Sequence, residues 1–125
     1  MKITTFNPMI ITKNAEDVIK LFEELGFEKR HAPTVDIGTG MVTSTRMKNA
    51  DGFCVDVADV ENVPQDFAMI RMNVDDFDEA YETLKKHGFK STRGDGNTID
   101  TETNKFVGMR SESGFMIDLC QHIKD

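Results

Sequence analysis

Hydrophobic and polar residues alternate with a period of two in two stretches of the chain. These are DGFCVDVADV, residues 51–60, and SGFMIDLCQH, residues 113–122. In each stretch an apolar row faces one way, and an aspartate, Asp56 or Asp118, lies in the opposite row. The pattern predicts two β-strands, each with a carboxylate on the face away from its apolar row. The apolar rows are Phe53, Val55 and Val57 in the first strand and Phe115, Ile117 and Leu119 in the second.

Two other segments have the spacing of an amphipathic helix. Apolar residues recur at intervals of three and four in AEDVIKLFEELGF, residues 15–27, and in DDFDEAYETLKKHGF, residues 75–89. We expect Asn14 to cap the first helix with its side chain. Gly26 and Gly88 are each expected to end a helix in a left-handed conformation.

The chain repeats itself at an offset of 62 residues, which aligns Gly26 with Gly88 and Asp56 with Asp118 without a gap. Each half then has one strand, one helix and three extended pieces. The predicted fold class is therefore α+β, with two tandem βαβββ modules, residues 1–61 and 62–125, in a single domain. The extended pieces are predicted at residues 4–12, 28–37, 41–47 and 53–60, and at residues 67–74, near 90, 103–110 and 115–123.

The charge of the chain narrows the classes of partner. Asp and Glu number 22 against 15 Lys and Arg, which gives a formal net charge of −7. Binding to phosphates requires clustered basic side chains, so the composition argues against nucleic acid and against an anionic membrane surface. A cationic or neutral small molecule is the more compatible ligand.

The two cysteines, Cys54 and Cys120, lie in predicted strands and lack C-x-x-C spacing. Two reduced thiols are typical of a protein in a reducing compartment. The sequence also has no run of ~18 apolar residues and no apolar segment of signal-peptide length at residues 1–14. We therefore expect a soluble, cytoplasmic protein.

The paired βαβββ order, the LGF and HGF helix ends and the closing SGFMIDL strand resemble the vicinal oxygen chelate superfamily. This group contains glyoxalase I, bleomycin-resistance proteins and extradiol dioxygenases, and the resemblance covers essentially the whole chain. It implies curved mixed sheets around a cavity, with the helices on the outer faces. Similarity to the bleomycin-resistance branch also implies a homodimer in which modules from two chains share each site.

The resemblance assigns four positions that hold a metal ion in the metal-dependent members. Those members carry glutamate where this chain has Asp56 and Asp118, and His, Gln or Glu where it has Asn7 and Met69. A neutral amide and a soft thioether are poor ligands for a catalytic divalent ion, and aspartate reaches one methylene less far than glutamate. We therefore expect no metal cofactor, although two carboxylates could hold Ca²⁺ or Mg²⁺ weakly.

Strand alternation places further side chains on the faces that carry the two aspartates, and most are apolar or contain sulfur. Such a lining suits a small organic ligand, and methionine adapts to varied ligand shapes. Arg71 either pairs with Asp56 or Asp118 to fill a closed core, or faces the ligand. The predicted ligand-binding residues are Asn7, Asp56, Met69, Arg71, Asn73, Met116 and Asp118.

The leading hypothesis is a metal-free protein that sequesters a cationic or neutral organic compound. The alternative is a lyase or isomerase of the glyoxalase type, with at most a weakly held divalent metal. In that case Asp56 or Asp118 would be the general base, because a carboxylate in an apolar site is suited to proton abstraction. A third hypothesis is a module whose function is supplied by a partner.

Overall fold

The structure is a computed structural model that describes residues 1–123. The chain forms two compact units. One unit, here called the Asp56 unit, comprises Asn7–Ala68. The other, the Asp118 unit, comprises Met1–Phe6 and the described residues from Met69 onward.

The strands of the Asp56 unit run in the order β2-β4-β5-β1, with β3 paired to β4. Strands β1 and β5 are parallel, and the other pairs are antiparallel. The elements are β1 (Ile3–Thr12), α1 (Ala15–Glu24), β2 (Glu28–His31), β3 (Thr34–Asp36), β4 (Met41–Lys48) and β5 (Cys54–Asp59). The first four residues of β1 belong to the Asp118 unit, and the rest of the strand belongs to the Asp56 unit.

The Asp118 unit has the same kind of arrangement, in the order β6-β10-β9-β7 with β8 paired to β9. Strands β6 and β10 are parallel, and the other pairs are antiparallel. The elements are β6 (Phe67–Val74), α2 (Phe77–Lys86), β7 (Lys90–Ser91), β8 (Ile99–Asp100), β9 (Asn104–Arg110) and β10 (Met116–His122). The α+β class predicted from the sequence is confirmed.

Each helix covers one face of the strands in its own unit. Apolar residues of α1 pack with Met47, Val55 and Val57 in the Asp56 unit. Apolar residues of α2 pack with a matching set that includes Val107 and Leu119 in the Asp118 unit. Because strand residues alternate between faces, both aspartates lie on the opposite side, here called the helix-free face.

Two details of the predicted strands are wrong. Residues 28–37 form two strands rather than one, because Pro33 lies in the break between β2 and β3 and cannot donate a backbone hydrogen bond. Phe53 and Phe115 do not belong to the buried apolar rows: they are 67 % and 49 % exposed, because each precedes the first residue of its strand. The short strand β8 was not predicted, since two residues give too little alternation to recognise.

The two helices begin differently. Asp76 accepts a hydrogen bond from the Glu79 backbone N–H at 3.1 Å, as an N-cap side chain should. The predicted cap of α1 is wrong, because the Asn14 side chain makes no capping hydrogen bond to any described residue. The expected left-handed glycines are confirmed, with φ of +99° at Gly26 and +89° at Gly88.

Both helices within residues 1–123 have 10 residues, and neither is long and apolar enough to cross a membrane.

Candidate functional site

The carboxylate of Asp56 is 1 % exposed and accepts hydrogen bonds from Arg46 and Asn7. Arg46 donates from Nε to Oδ1 and from Nη2 to Oδ2, both at 3.0 Å. Asn7 donates from Nδ2 to Oδ2 at 2.8 Å. A guanidinium that donates to both oxygens forms the strongest and most directional type of ion pair with a carboxylate. Both oxygens of Asp56 are therefore occupied.

Strand pairing positions this group. Arg46 lies directly opposite Asp56 across the antiparallel pair of β4 and β5, so the two side chains share one face. Asn7 is 5 % exposed and lies near the start of the buried part of β1. Its amide also donates to the Pro8 carbonyl at 2.9 Å, which fixes the orientation of the side chain.

Asp118 lies in a different local setting. It is 9 % exposed and has Arg71 of β6 on one side and Gly108 of β9 on the other. A Cβ at Gly108 would lie 3.2 Å from Thr92 Oγ1 and 3.6 Å from Met116 Cε. The side chains of Thr92 and Met116 therefore lie over Gly108, which is the β9 residue opposite Asp118. In the Asp56 unit the corresponding position on β4 carries Arg46.

Cys120 follows Asp118 on the same face and is 2 % exposed. Burial raises the pKa of the Cys120 thiol well above its usual value, and the nearby negative charge of Asp118 raises it further. Arg71 acts on the pKa of the same thiol in the opposite direction. The Asp118 and Arg71 charges thus both lie close to this sulfur, which remains a neutral thiol at pH 7.

The remaining predicted ligand-binding residues lie on the helix-free face of the Asp118 unit. Met69 is buried and Met116 is half-buried. Asn73 Nδ2 donates to Thr5 Oγ1 at 2.7 Å, while Asn73 Oδ1 is buried and has no partner within residues 1–123.

Arg46 is the functional residue that the sequence analysis missed. A signal for it was available, because the turn at Asn49–Gly52 joins two strands of a hairpin. Counting outward from that turn pairs Lys48 with Cys54 and Arg46 with Asp56, which is the observed register. Arg71 was the one arginine predicted beside the aspartates, because that prediction rested on the first strand of each module and not on β4.

The residues in these positions do not fit a catalytic metal ion. Within residues 1–123 no group of three or more His, Cys, Asp and Glu side chains could hold one. Asp56 already binds a guanidinium through both oxygens, Asn7 directs an N–H at that carboxylate, and Met69 offers a thioether. A divalent ion at Asp56 would have to displace Arg46 and would then find the neutral amide of Asn7 beside the carboxylate.

A separate pocket of about 550 Å³ lies within the Asp56 unit, away from Asp56. It is formed by the β3–β4 turn and the segment that follows β5. Its lining includes Ile37, Met41, Asp59 and Glu61.

The sequence matches the profile of the Glyoxalase/Bleomycin resistance protein/Dioxygenase superfamily over residues 4–119. This chain belongs to that superfamily. The resemblance noted in the sequence is therefore confirmed at the level of the superfamily. No curated protein matches the sequence.

Solved structures with the same superfamily fold include glyoxalase I from Zea mays, at a TM-score of 0.68 and 12 % sequence identity. That alignment covers 98 % of this chain but 44 % of the maize chain, so this superfamily member spans less than half the length of its relative. A superfamily member from Vibrio splendidus 12B01 aligns over 98 % of this chain and 100 % of its own, at a TM-score of 0.61 and 15 % identity. A protein from Staphylococcus aureus aligns over the same shares, at a TM-score of 0.64 and 15 % identity. Identities this low establish the fold alone.

Proposed function

We propose that this superfamily member binds a small organic molecule without a metal ion and carries out no chemistry on it. One observation carries the proposal: both oxygens of the Asp56 carboxylate accept hydrogen bonds from Arg46, and Asn7 donates to Oδ2 as well. A carboxylate in this state is a poor metal ligand and a poor general base, because a metal ion or a substrate proton would have to compete with the guanidinium for a carboxylate that is almost fully buried.

The side chains around the aspartates support a binding role. Met9 and Met69 are buried on the helix-free faces, and Met116 is half-buried on β10. Thioether side chains adjust their shape to irregular apolar ligands. Asn73 supplies a neutral amide oxygen, Oδ1, which would orient a ligand through a hydrogen bond, while the Asn7 amide donates to Asp56 and Pro8 and would contact a ligand through its oxygen alone.

The test is a binding screen on chelator-treated protein with and without added Ni²⁺, Zn²⁺, Mn²⁺ and Fe²⁺. Thermal shifts identify compounds that bind, and calorimetry then measures affinity. The proposal predicts saturable binding whose affinity does not change when a metal ion is added. Binding or turnover that requires one of these ions would contradict it.

A second candidate function, a lyase or isomerase of the glyoxalase type, rests on Asp118. Asp118 is 9 % exposed whereas Asp56 is 1 % exposed, so Asp118 is the carboxylate that a substrate would reach more easily. In such an enzyme Asp118 would be the base rather than Asp56. Turnover or solvent proton exchange by wild-type protein, lost in Asp118→Asn, would favour this function over simple binding.

The proposal includes a homodimer in the cytoplasm. Exposed aromatic side chains support association, since Phe6 is 60 % and Phe53 is 67 % exposed. Light scattering after gel filtration tests this, and a mass of one chain at micromolar concentration would contradict the dimer.

A further inference from the structure

We infer that the ligand of this protein is uncharged and carries a hydrogen-bond donor. This inference rests on the proposed function and chooses between the cationic and neutral ligands that the sequence allowed. Its basis is the pairing of charges on each helix-free face, together with two uncharged buried polar atoms that have no hydrogen-bond partner among residues 1–123.

In the Asp56 unit, Arg46 balances the charge of Asp56. In the sequence-based prediction Arg71 could pair with only one of Asp56 and Asp118, which left no cation assigned to the other carboxylate. The fork from Arg46 supplies that cation. A cationic ligand at Asp56 would have to break a bidentate pair to a carboxylate that is 1 % exposed, and would leave the guanidinium without its counter-ion.

In the Asp118 unit the charges are also matched within the strand pairing. Arg71 of β6 lies beside Asp118 of β10 in the parallel register. Neither unit therefore presents an excess of positive or negative charge on the central part of its helix-free face. Further charged side chains in line with these faces lie at exposed strand ends: Lys48 with Glu28 opposite it, and Arg110 with Lys90 opposite it.

Two uncharged polar atoms point to the chemistry of the ligand. Ser44 lies two residues before Arg46 on the same face of β4, opposite Ala58, and its Oγ is buried. Asn73 Oδ1 is buried on the helix-free face of β6. Neither atom has a hydrogen-bond partner within residues 1–123. Buried polar atoms are costly unless they are paired, so each favours a ligand or water that completes its hydrogen bond.

An amide oxygen accepts hydrogen bonds, and a serine hydroxyl can both donate and accept. A ligand hydroxyl or N–H group satisfies either atom without bringing a formal charge. Apolar surface on the same ligand would lie against the methionine side chains, as in other small-molecule sites. An aromatic or aliphatic alcohol or amide has this combination of features.

The experiment uses probes that carry a neutral, a cationic or an anionic head group on one aromatic scaffold: 2-naphthalenemethanol, 2-naphthylmethylammonium and 2-naphthoate. The chain contains no Trp, so naphthalene fluorescence can be read with little protein background. The same three head groups are also tested on indole and cyclohexyl scaffolds by calorimetry, in case the naphthalene ring does not fit the site. Each set of alcohol, ammonium and carboxylate on one scaffold is called a triplet. We expect each alcohol to bind at least about tenfold more tightly than the ammonium or carboxylate probe on the same scaffold. The charges on the helix-free faces are already paired with each other, so a charged probe would be buried without a counter-ion.

A tighter complex with an ammonium or carboxylate probe would overturn the inference and leave the proposed function standing. Absence of saturable binding for every triplet, with and without metal ions, would overturn both.

Two variants sharpen the test. Arg46→Met leaves the Asp56 carboxylate without its guanidinium and should shift preference toward the ammonium probes by about tenfold, and Asp56→Asn should shift it toward the carboxylates. Arg30→Met is the matched control, because Arg30 is exposed on β2 and its removal changes the net charge equally. Equal shifts in Arg30→Met and Arg46→Met would contradict the inference. If either buried variant fails to fold, the wild-type comparison still decides the matter.

Discussion

Asp56 and Asp118 occupy matching positions in their units, but the arginine beside each comes from a different strand. Beside Asp56 it is supplied by the antiparallel neighbour β4, and beside Asp118 by the parallel neighbour β6. At the offset of 62 residues, each arginine aligns with an uncharged residue in the other half of the chain, so the arginine and the uncharged residue have exchanged strands between the two units. The matching pairs are Met9 with Arg71 and Arg46 with Gly108.

In both units an arginine lies beside the aspartate, but the strand that carries the arginine differs. The presence of a cation is therefore more strongly constrained than the strand from which it comes. A buried carboxylate needs a cation within reach, and each aspartate has two neighbouring strands that could carry one. The two units therefore meet the same electrostatic requirement with different residues. Comparison of the halves by repeat alignment alone cannot reveal the second arginine.

The largest loss of stability is expected when the ion pair between Arg46 and Asp56 is broken. Arg46→Met leaves the Asp56 carboxylate buried without its ion-pair partner, and we expect a loss of about 3–5 kcal/mol in the free energy of unfolding. Urea denaturation at neutral pH measures it. Arg30→Met again serves as the control, with an expected change within about 0.5 kcal/mol. A loss in Arg46→Met no greater than in the control would show that the pair contributes little.

The last strand of each unit, β5 and β10, carries one cysteine, and the two thiols should react at different rates. Cys54 is half-buried at the start of β5, whereas Cys120 is deeply buried in β10 with a raised pKa. We expect a thiol-disulfide reagent to modify Cys54 faster than Cys120 by on the order of 100-fold, because the thiolate is the reactive form. Cys54→Ser should remove the fast phase alone. A fast phase that survives in this variant would contradict the buried setting of Asp118 and Cys120.

An exchange of residues tests whether the two arginine positions are equivalent. The double variant Met9→Arg with Arg46→Met gives the Asp56 unit the arrangement of the Asp118 unit, because Met9 lies beside Asp56 on β1. We expect it to regain about 1–2 kcal/mol relative to Arg46→Met alone, since a cation again lies beside the carboxylate. Denaturation of the single and double variants gives the coupling. A double variant less stable than Arg46→Met would show that the two sides are not interchangeable.

The smallest effect concerns the helix starts. Asp76→Ala should destabilise the protein by about 1 kcal/mol, because the side chain caps α2. Asn14→Ala should change stability by less than about 0.5 kcal/mol, since the Asn14 side chain makes no capping bond to the described residues. Thermal melts of the two variants provide the comparison, and equal losses would contradict the difference between the caps.

Much of the fold could be predicted from the sequence because it depends on local patterns. Period-two alternation predicted the strands that carry Asp56 and Asp118. The preference of glycine for a left-handed conformation predicted where both helices end. The strand break at Pro33 and the exposure of Phe53 depend on where a turn ends, which alternation does not specify. The two-residue strand β8 exists through pairing with β9, which is a long-range property.

The candidate site could be predicted in part. The positions of the aspartates followed from alternation, and the burial of Asn7 and Met69 agrees with the face on which they were expected. Arg46 was missed because its role depends on hairpin register rather than on residue type. Without Arg46 the prediction paired at most one of the two aspartates, so a cationic ligand stayed among the candidates that the net charge allowed.

The most direct test of the account is the metal content of tag-free protein. The protein is incubated with Ni²⁺, Zn²⁺, Fe²⁺ and Mn²⁺ in turn, passed through gel filtration and analysed by mass spectrometry. Because Arg46 occupies the Asp56 carboxylate, we predict retention of less than about 0.1 ion per chain for each metal. Retention of one ion per chain would contradict the account, since Arg46 would then have to leave Asp56 for a metal that the donor set does not favour.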